Sequence, residues 1–120
     1  MSDSFSYAQT KVISLDDPDE NAWIDLTDSG LSESLHLFGI WGTIHFDTTN
    51  DATLAFHDGS SGDAILNFAV ANTALTGTAL PFICMLEDDA YIRISEGLNM
   101  YVAESGSAEI SNITITVIYQ

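Results

Sequence analysis

Apolar residues recur in this chain at every second position, and a period of two belongs to strands, because successive side chains of an extended backbone point to opposite faces. Near the C-terminus, Ile113, Ile115, Val117 and Tyr119 alternate with Thr114, Thr116 and Ile118. Leu98, Met100 and Val102 alternate with Asn99, Tyr101 and Ala103, and Leu54 and Phe56 with Thr53, Ala55 and His57. Ile40, Ile44 and Phe46 share one parity, with Trp41, Thr43 and His45 on the other. Further strand candidates cover residues 11–15, 22–26, 65–71, 80–86 and 91–95. Turn chemistry separates these runs at residues 47–51, 58–63, 76–77, 87–89, 96–97 and 105–107. About eight or nine short strands at this spacing predict an all-β fold, a two-sheet antiparallel sandwich with jelly-roll wiring. No long helical period is present; residues 30–37 have room for one turn.

Charge narrows the partners. Lys11 and Arg93 stand alone against 18 acidic residues, for a net charge of −16. Duplex nucleic acid is excluded, since binding it means replacing condensed counterions with Lys and Arg. An anionic membrane surface is disfavoured for the same reason. Disorder is excluded too, because 46% of the residues are hydrophobic and β-branched and aromatic side chains abound. The single cysteine, Cys84, lies in the apolar run Phe82-Ile83-Cys84-Met85-Leu86 and reads as a small buried hydrophobe. The first residues carry neither a positive n-region nor an apolar h-region, so no signal peptide is expected and synthesis is expected in a cytoplasm. No apolar stretch reaches the length of a membrane span. The length of 120 residues suits one domain. Residues 1–9 form a polar arm carrying Phe5 and Tyr7, and residues 10–120 a single sandwich.

Several clusters invite a chemical reading. In the stretch from Asp17 to Asp28, oxygen-bearing side chains fall at the positions of a twelve-residue calcium loop, which makes Asp17, Asp19, Asn21, Asp25 and Asp28 candidate ligands. Against it, Ala22 occupies the position where the sharp turn asks for glycine, and neither flank reads as a helix. The plainer reading is an exposed acidic loop followed by a strand. If residues 47–51 close a hairpin, His57 lies diagonal to His45 on one outward face, where the pair, with Asp47 or Asp58, has metal-ligand chemistry. The sequence lacks a G-x-S-x-G elbow, an H-E-x-x-H pair and a phosphate-cradling glycine loop, so no enzyme is expected and no cofactor, calcium apart. Trp41 shares the parity of Thr43 and His45, opposite to Ile40 and Ile44, which makes it the best candidate for an exposed ring. Trp23 is the second, and either ring suits a protein contact or a sugar face.

A wider resemblance rests on longer runs. One is Asn21-Ala22-Trp23-Ile24-Asp25-Leu26-Thr27-Asp28-Ser29-Gly30-Leu31, followed by the strand at residues 37–46. Another is the hairpin at residues 52–71 around Asp58-Gly59-Ser60, a D-G-[ST] turn. The last is Ile92-Arg93-Ile94-Ser95-Glu96-Gly97-Leu98-Asn99-Met100-Tyr101-Val102, leading into residues 113–119. Together they resemble the small all-β virion proteins of tailed bacteriophages, in which an I-R-[FI]-x-x-G-L-x-[VM]-x-V run precedes the last strand. The resemblance covers most of the chain beyond residue 20 and carries no catalytic residues. It implies a jelly-roll decoration, or cement, protein on the outer capsid surface of the virion. Such a protein is commonly a homotrimer bound to the major capsid protein, and Phe5, Tyr7, Trp23 and Trp41 are the candidate contacts. Related folds form fibre heads and baseplate pieces, so the alternative is a carbohydrate- or receptor-binding module at a fibre tip.

Overall fold

The computed structural model describes residues 8–19, 21–46, 52–70, 79–87, 90–104 and 110–120. The alternating runs are strands: β1 (Gln9–Asp16), β2 (Trp23–Asp25), β3 (Leu35–Phe46), β4 (Ala52–Asp58), β5 (Leu66–Val70), β6 (Ala79–Met85), β7 (Ile92–Ile94), β8 (Leu98–Glu104) and β9 (Ile110–Tyr119). Sheet A runs β1-β9-β3-β6, with β7 also paired to β3, and sheet B runs β2-β8-β4-β5. Every pairing is antiparallel. The pairings nest: β1 with β9, β2 with β8, β3 with β6, β4 with β5. That is a long hairpin rolled into two facing sheets, the jelly roll that the strand spacing predicts. The extra strand β7 fits because β3 is 12 residues long. One part of its free side pairs with β6 (Gly39–His45) and the part before it, Leu35 to Leu37, with β7.

The inward side chains make the core. In sheet A the row Ile40, Ile44, Ile113, Ile115 and Val117 is fully buried; sheet B answers with Leu54, Phe56, Leu98, Met100 and Val102. Burying such side chains from water contributes roughly 1.5–3 kcal/mol each. Phe68 links the sheets at one side, its ring 6.0 Å from Phe56 in sheet B and 5.2 Å from Phe82 in sheet A. The inward parity of β3 changes midway. Leu37 is opposite Tyr119 and Gly39 opposite Ile118, so Phe38 is one residue too many, a β-bulge. Leu35 and Leu37 before it, and Ile40 and Ile44 after it, thereby all face the core, and Phe38 is buried as well.

Three local expectations are corrected. The strand expected over residues 22–26 is shorter, because Leu26–Ser29 forms a 3-10 turn. Asp25 caps it by accepting from the Thr27 amide, and Gly30 ends it at φ 103°, donating to the Thr27 carbonyl. The helical turn expected within residues 30–37 is absent, since β3 already begins at Leu35. The hairpin expected between β3 and β4 is also absent: β3 belongs to sheet A and β4 to sheet B, so the chain crosses from one sheet to the other there.

Gly42 stands in the inward row of β3, opposite Ile115 and Phe82. A Cβ there lies 1.9 Å from the Thr114 carbonyl oxygen and 2.9 Å from the tip of the Phe82 ring. Gly62 has φ 83° but open space around it. Gly42→Ala is therefore expected to cost about 3 kcal/mol or to prevent folding, by overpacking against backbone. Gly62→Ala is expected to cost only the left-handed backbone strain, about 1–2 kcal/mol. Denaturant midpoints of the two variants against the parent check the order.

Candidate contact surfaces and the acidic crevice

The acidic residues are distributed by the fold. Asp16, Asp25, Asp58 and Glu104 end β1, β2, β4 and β8, and the others fall in sequence before β1 or between strands. The outer face of sheet A consequently carries no charge across three successive rows. Thr10, Ile118, Gly39 and Met85 form the first, Val12, Thr116, Trp41 and Ile83 the second, Ser14, Thr114, Thr43 and Pro81 the third. Ile83 is 66% exposed, Val12 60% and Met85 44%. Between Trp41 and Ile83, over Gly42 and the threonines of β9, lies a depression of ≈ 380 Å³. Trp41 itself is half-buried there, less open than expected for the leading exposed ring.

Trp23 is the more exposed tryptophan, at 41%, and lies on the outer face of sheet B. Its ring meets His57 edge-on with centroids 4.6 Å apart and Tyr101 at 5.1 Å. On its other side opens a crevice of ≈ 460 Å³ between edge strands β1 and β2, lined by Trp23 and by Asp16, Asp17, Asp19, Asp25 and Asp28. The loop that walls it is tied to both sheets: the Asp17 amide donates to Ser111 O at 2.8 Å and the Asn21 amide to Val102 O at 2.8 Å. Both residues have positive φ, 48° and 55°, a conformation that Asp and Asn tolerate best among residues with a Cβ. Of the five candidate calcium ligands, Asp17, Asp19, Asp25 and Asp28 line this crevice and Asn21 does not. Asp25 Oδ1 accepts from Thr27 N at 3.0 Å and from Thr27 Oγ1 at 2.6 Å. Among the described residues, no three His, Cys, Asp or Glu side chains group closely enough to hold a metal ion.

The two histidines are not neighbours, because the β3 to β4 crossing sends them to opposite sheets. His45 Nδ1 lies 3.5 Å from Asn112 Nδ2 on sheet A, and His57 packs under Trp23 on sheet B. His45 Nε2 and His57 Nδ1 are buried without a hydrogen-bond partner among the described residues. Cys84 faces inward on β6 and is half-buried against the core. Phe5 and Tyr7 lie outside the described residues.

Asp58 has a role that a reading of turns alone misses. Its carboxylate accepts from Ser95 N at 3.1 Å, from Ser95 Oγ at 3.2 Å and from Glu96 N at 2.7 Å. It thus fastens the end of β4 to the turn before β8. Gly97, at φ 95°, continues the knot: its carbonyl accepts from Gly59 N at 2.8 Å and its amide donates to Glu33 O at 2.9 Å. The Asp-Gly pair at 58–59 was visible as a turn; its partner 37 residues on was not.

No protein-family model matches the chain, and no curated protein sequence does. Solved structures do resemble it. One is a protein of Bacillus endospore appendages, described as a family of disulfide-linked pili, with TM-score 0.53 and 17% identity over 94% of this chain and 88% of that one. The coat protein of Tobacco streak virus aligns over 98% of this chain and 87% of that one at 11% identity, with TM-score 0.47. The first likeness is one of fold; the second is too loose to build on. Among the described residues no helix is long and apolar enough to cross a membrane.

Asp58→Ala removes the acceptor of the hydrogen bonds from Ser95 and Glu96, leaving the backbone bonds of Gly97, and is expected to lower stability by about 2–3 kcal/mol. Asp58→Asn keeps one oxygen and is expected to lose less. Thermal unfolding of the two variants measures the difference.

Proposed function

We propose that the chain is a non-enzymatic structural subunit, a decoration protein seated on the outer capsid surface of a tailed-phage virion. The observation that carries this reading is the three uncharged rows on the outer face of sheet A, on a molecule of net charge −16. A soluble domain gains nothing from gathering Val12, Ile83 and Met85 in the open unless another protein covers them. The acidic ends suit exposure on a shell, where like charge keeps particles apart. The jelly roll is consistent with the virion proteins whose motifs the sequence resembles. In this reading the major capsid protein is the partner, gripped by the arm with Phe5 and Tyr7 and by one edge or end of the sandwich. The endospore-appendage protein of similar fold is described as disulfide-linked. Cys84 is the single cysteine of these 120 residues, and in this reading the contacts are non-covalent.

A second reading draws on Trp23 at the rim of the acidic crevice: an exposed indole beside carboxylates can hold a sugar, its ring on the pyranose face and the acids on the hydroxyls.

Antibody raised against the chain, used for gold labelling of particles released from the source cells, tests the first reading. Gold on the shells of phage-like particles is expected. Antigen confined to the particle-free supernatant overturns it. Glycan binding that Trp23→Ala abolishes, with no label on particles, moves the assignment to the second reading.

A further inference from the structure

We infer that the outer face of sheet A pairs with the same face of a second copy of the chain. This rests on the structural reading above and names the partner for that face. Three observations bear on the partner: shape chooses a copy over another protein, and charge and size allow it. The first is charge. A basic partner is drawn to the acid-rich strand ends, whereas a neutral face excludes no charge when it meets another neutral face. For a molecule of −16, these three rows of sheet A are a surface on which a copy can approach without burying a carboxylate.

The second is shape. Ile83 projects at 66% exposure directly beside the depression bounded by Trp41, Thr43, Thr114 and Thr116. A projection next to a hollow is self-complementary about a two-fold axis: each Ile83 enters the other copy's hollow, as an isologous contact requires. The threonine hydroxyls around the hollow can bond one another or a trapped water, so their burial leaves no polar group stranded.

The third is size. At ordinary strand and residue spacings the three rows across four strands cover roughly 20 Å by 20 Å. Two such faces with their side-chain relief bury on the order of 1,000 Å², about the area at which a specific interface begins. The pair is therefore reversible. Salt adjusts it in one direction: the two acidic bodies repel, the repulsion is screened beyond about 8 Å at physiological ionic strength, and association tightens from low to moderate salt.

Sedimentation across a wide concentration range, at low and moderate salt, tests the pairing in the full chain. The mass is expected to climb from 13.0 kDa toward twice that value, earlier at moderate salt. Ile83→Asp is expected to weaken pairing by about 30-fold or more, the size of a lost hot spot. Its far-UV dichroism, and its melting temperature at dilutions where the parent is a monomer, are expected to be unchanged, because the side chain contributes little to the core. Single-tryptophan variants place the contact. In Trp23→Phe the remaining Trp41 is expected to become shielded from acrylamide as the pair forms; in Trp41→Phe the remaining Trp23 is not. A monomer at every concentration overturns the inference. So does a larger species, trimer included, that Ile83→Asp leaves intact, or one in which Trp41 stays as accessible as in the monomer. The decoration reading fails separately: a monomer that labels virion shells sinks the pairing alone, and a pair that never labels particles sinks the decoration role alone.

Discussion

β9 lies between β1 and β3, and the register among these three strands governs most of what the molecule presents. It aligns Ile113, Ile115 and Val117 with Ile44, Gly42 and Ile40 on one side of the sheet, and Thr114 and Thr116 with Thr43 and Trp41 on the other. A slip of one residue exchanges the two sets and places isoleucines in water and threonines in the core. Gly42 helps fix the match, because the space over it is taken by the Phe82 ring and the Thr114 carbonyl. The bulge at Phe38 then lets the same strand keep an apolar inner face after its parity has changed. The core and the uncharged rows of the outer face are therefore one feature seen from its two sides.

The same register explains why the acids and the apolar flank separate in space. Strand interiors carry no acid, so the carboxylates gather at the strand ends and in the connections. Some of them do structural work there. Asp58 ties β4 to the turn before β8, and Asp25 caps a 3-10 turn. Others, with Trp23, wall the crevice between β1 and β2. A sandwich built this way can be strongly acidic and still offer a neutral flank.

Much of this was legible from alternation alone. The strands at residues 98–102 and 113–119 stand where their period places them, and the number of short runs foretold two sheets. What alternation lacks is long-range information. The turn residues at 47–51 say that the chain reverses, but not whether it returns beside β3 or crosses to the other sheet; that depends on β9 and β6 already flanking β3. The two histidines were misplaced for that reason. The 3-10 turn had its signals in Asp25 and Gly30, yet Trp23, Ile24 and Leu26 mimic a strand's pattern closely enough to mask them. Parity put Trp41 on an outer face. It did not reveal that Trp41 is half-buried while Trp23, on a short edge strand, is exposed.

The antiparallel pairing of β1 with β9 sets Gln9 against Tyr119, joined also by a hydrogen bond from Tyr119 Oη to Gln9 Oε1 of 3.3 Å. A tension applied at those two residues meets the ladder one rung at a time and peels β1 away, as a zipper opens. A tension transmitted sideways, through the broad flank of sheet A, meets many rungs together in shear. The molecule is thus mechanically anisotropic, compliant when drawn out by its ends and stiff when loaded across its face. Cargo or tether attached at Gln9 or Tyr119 takes hold of the soft direction, while contacts made across the flank load the stiff one.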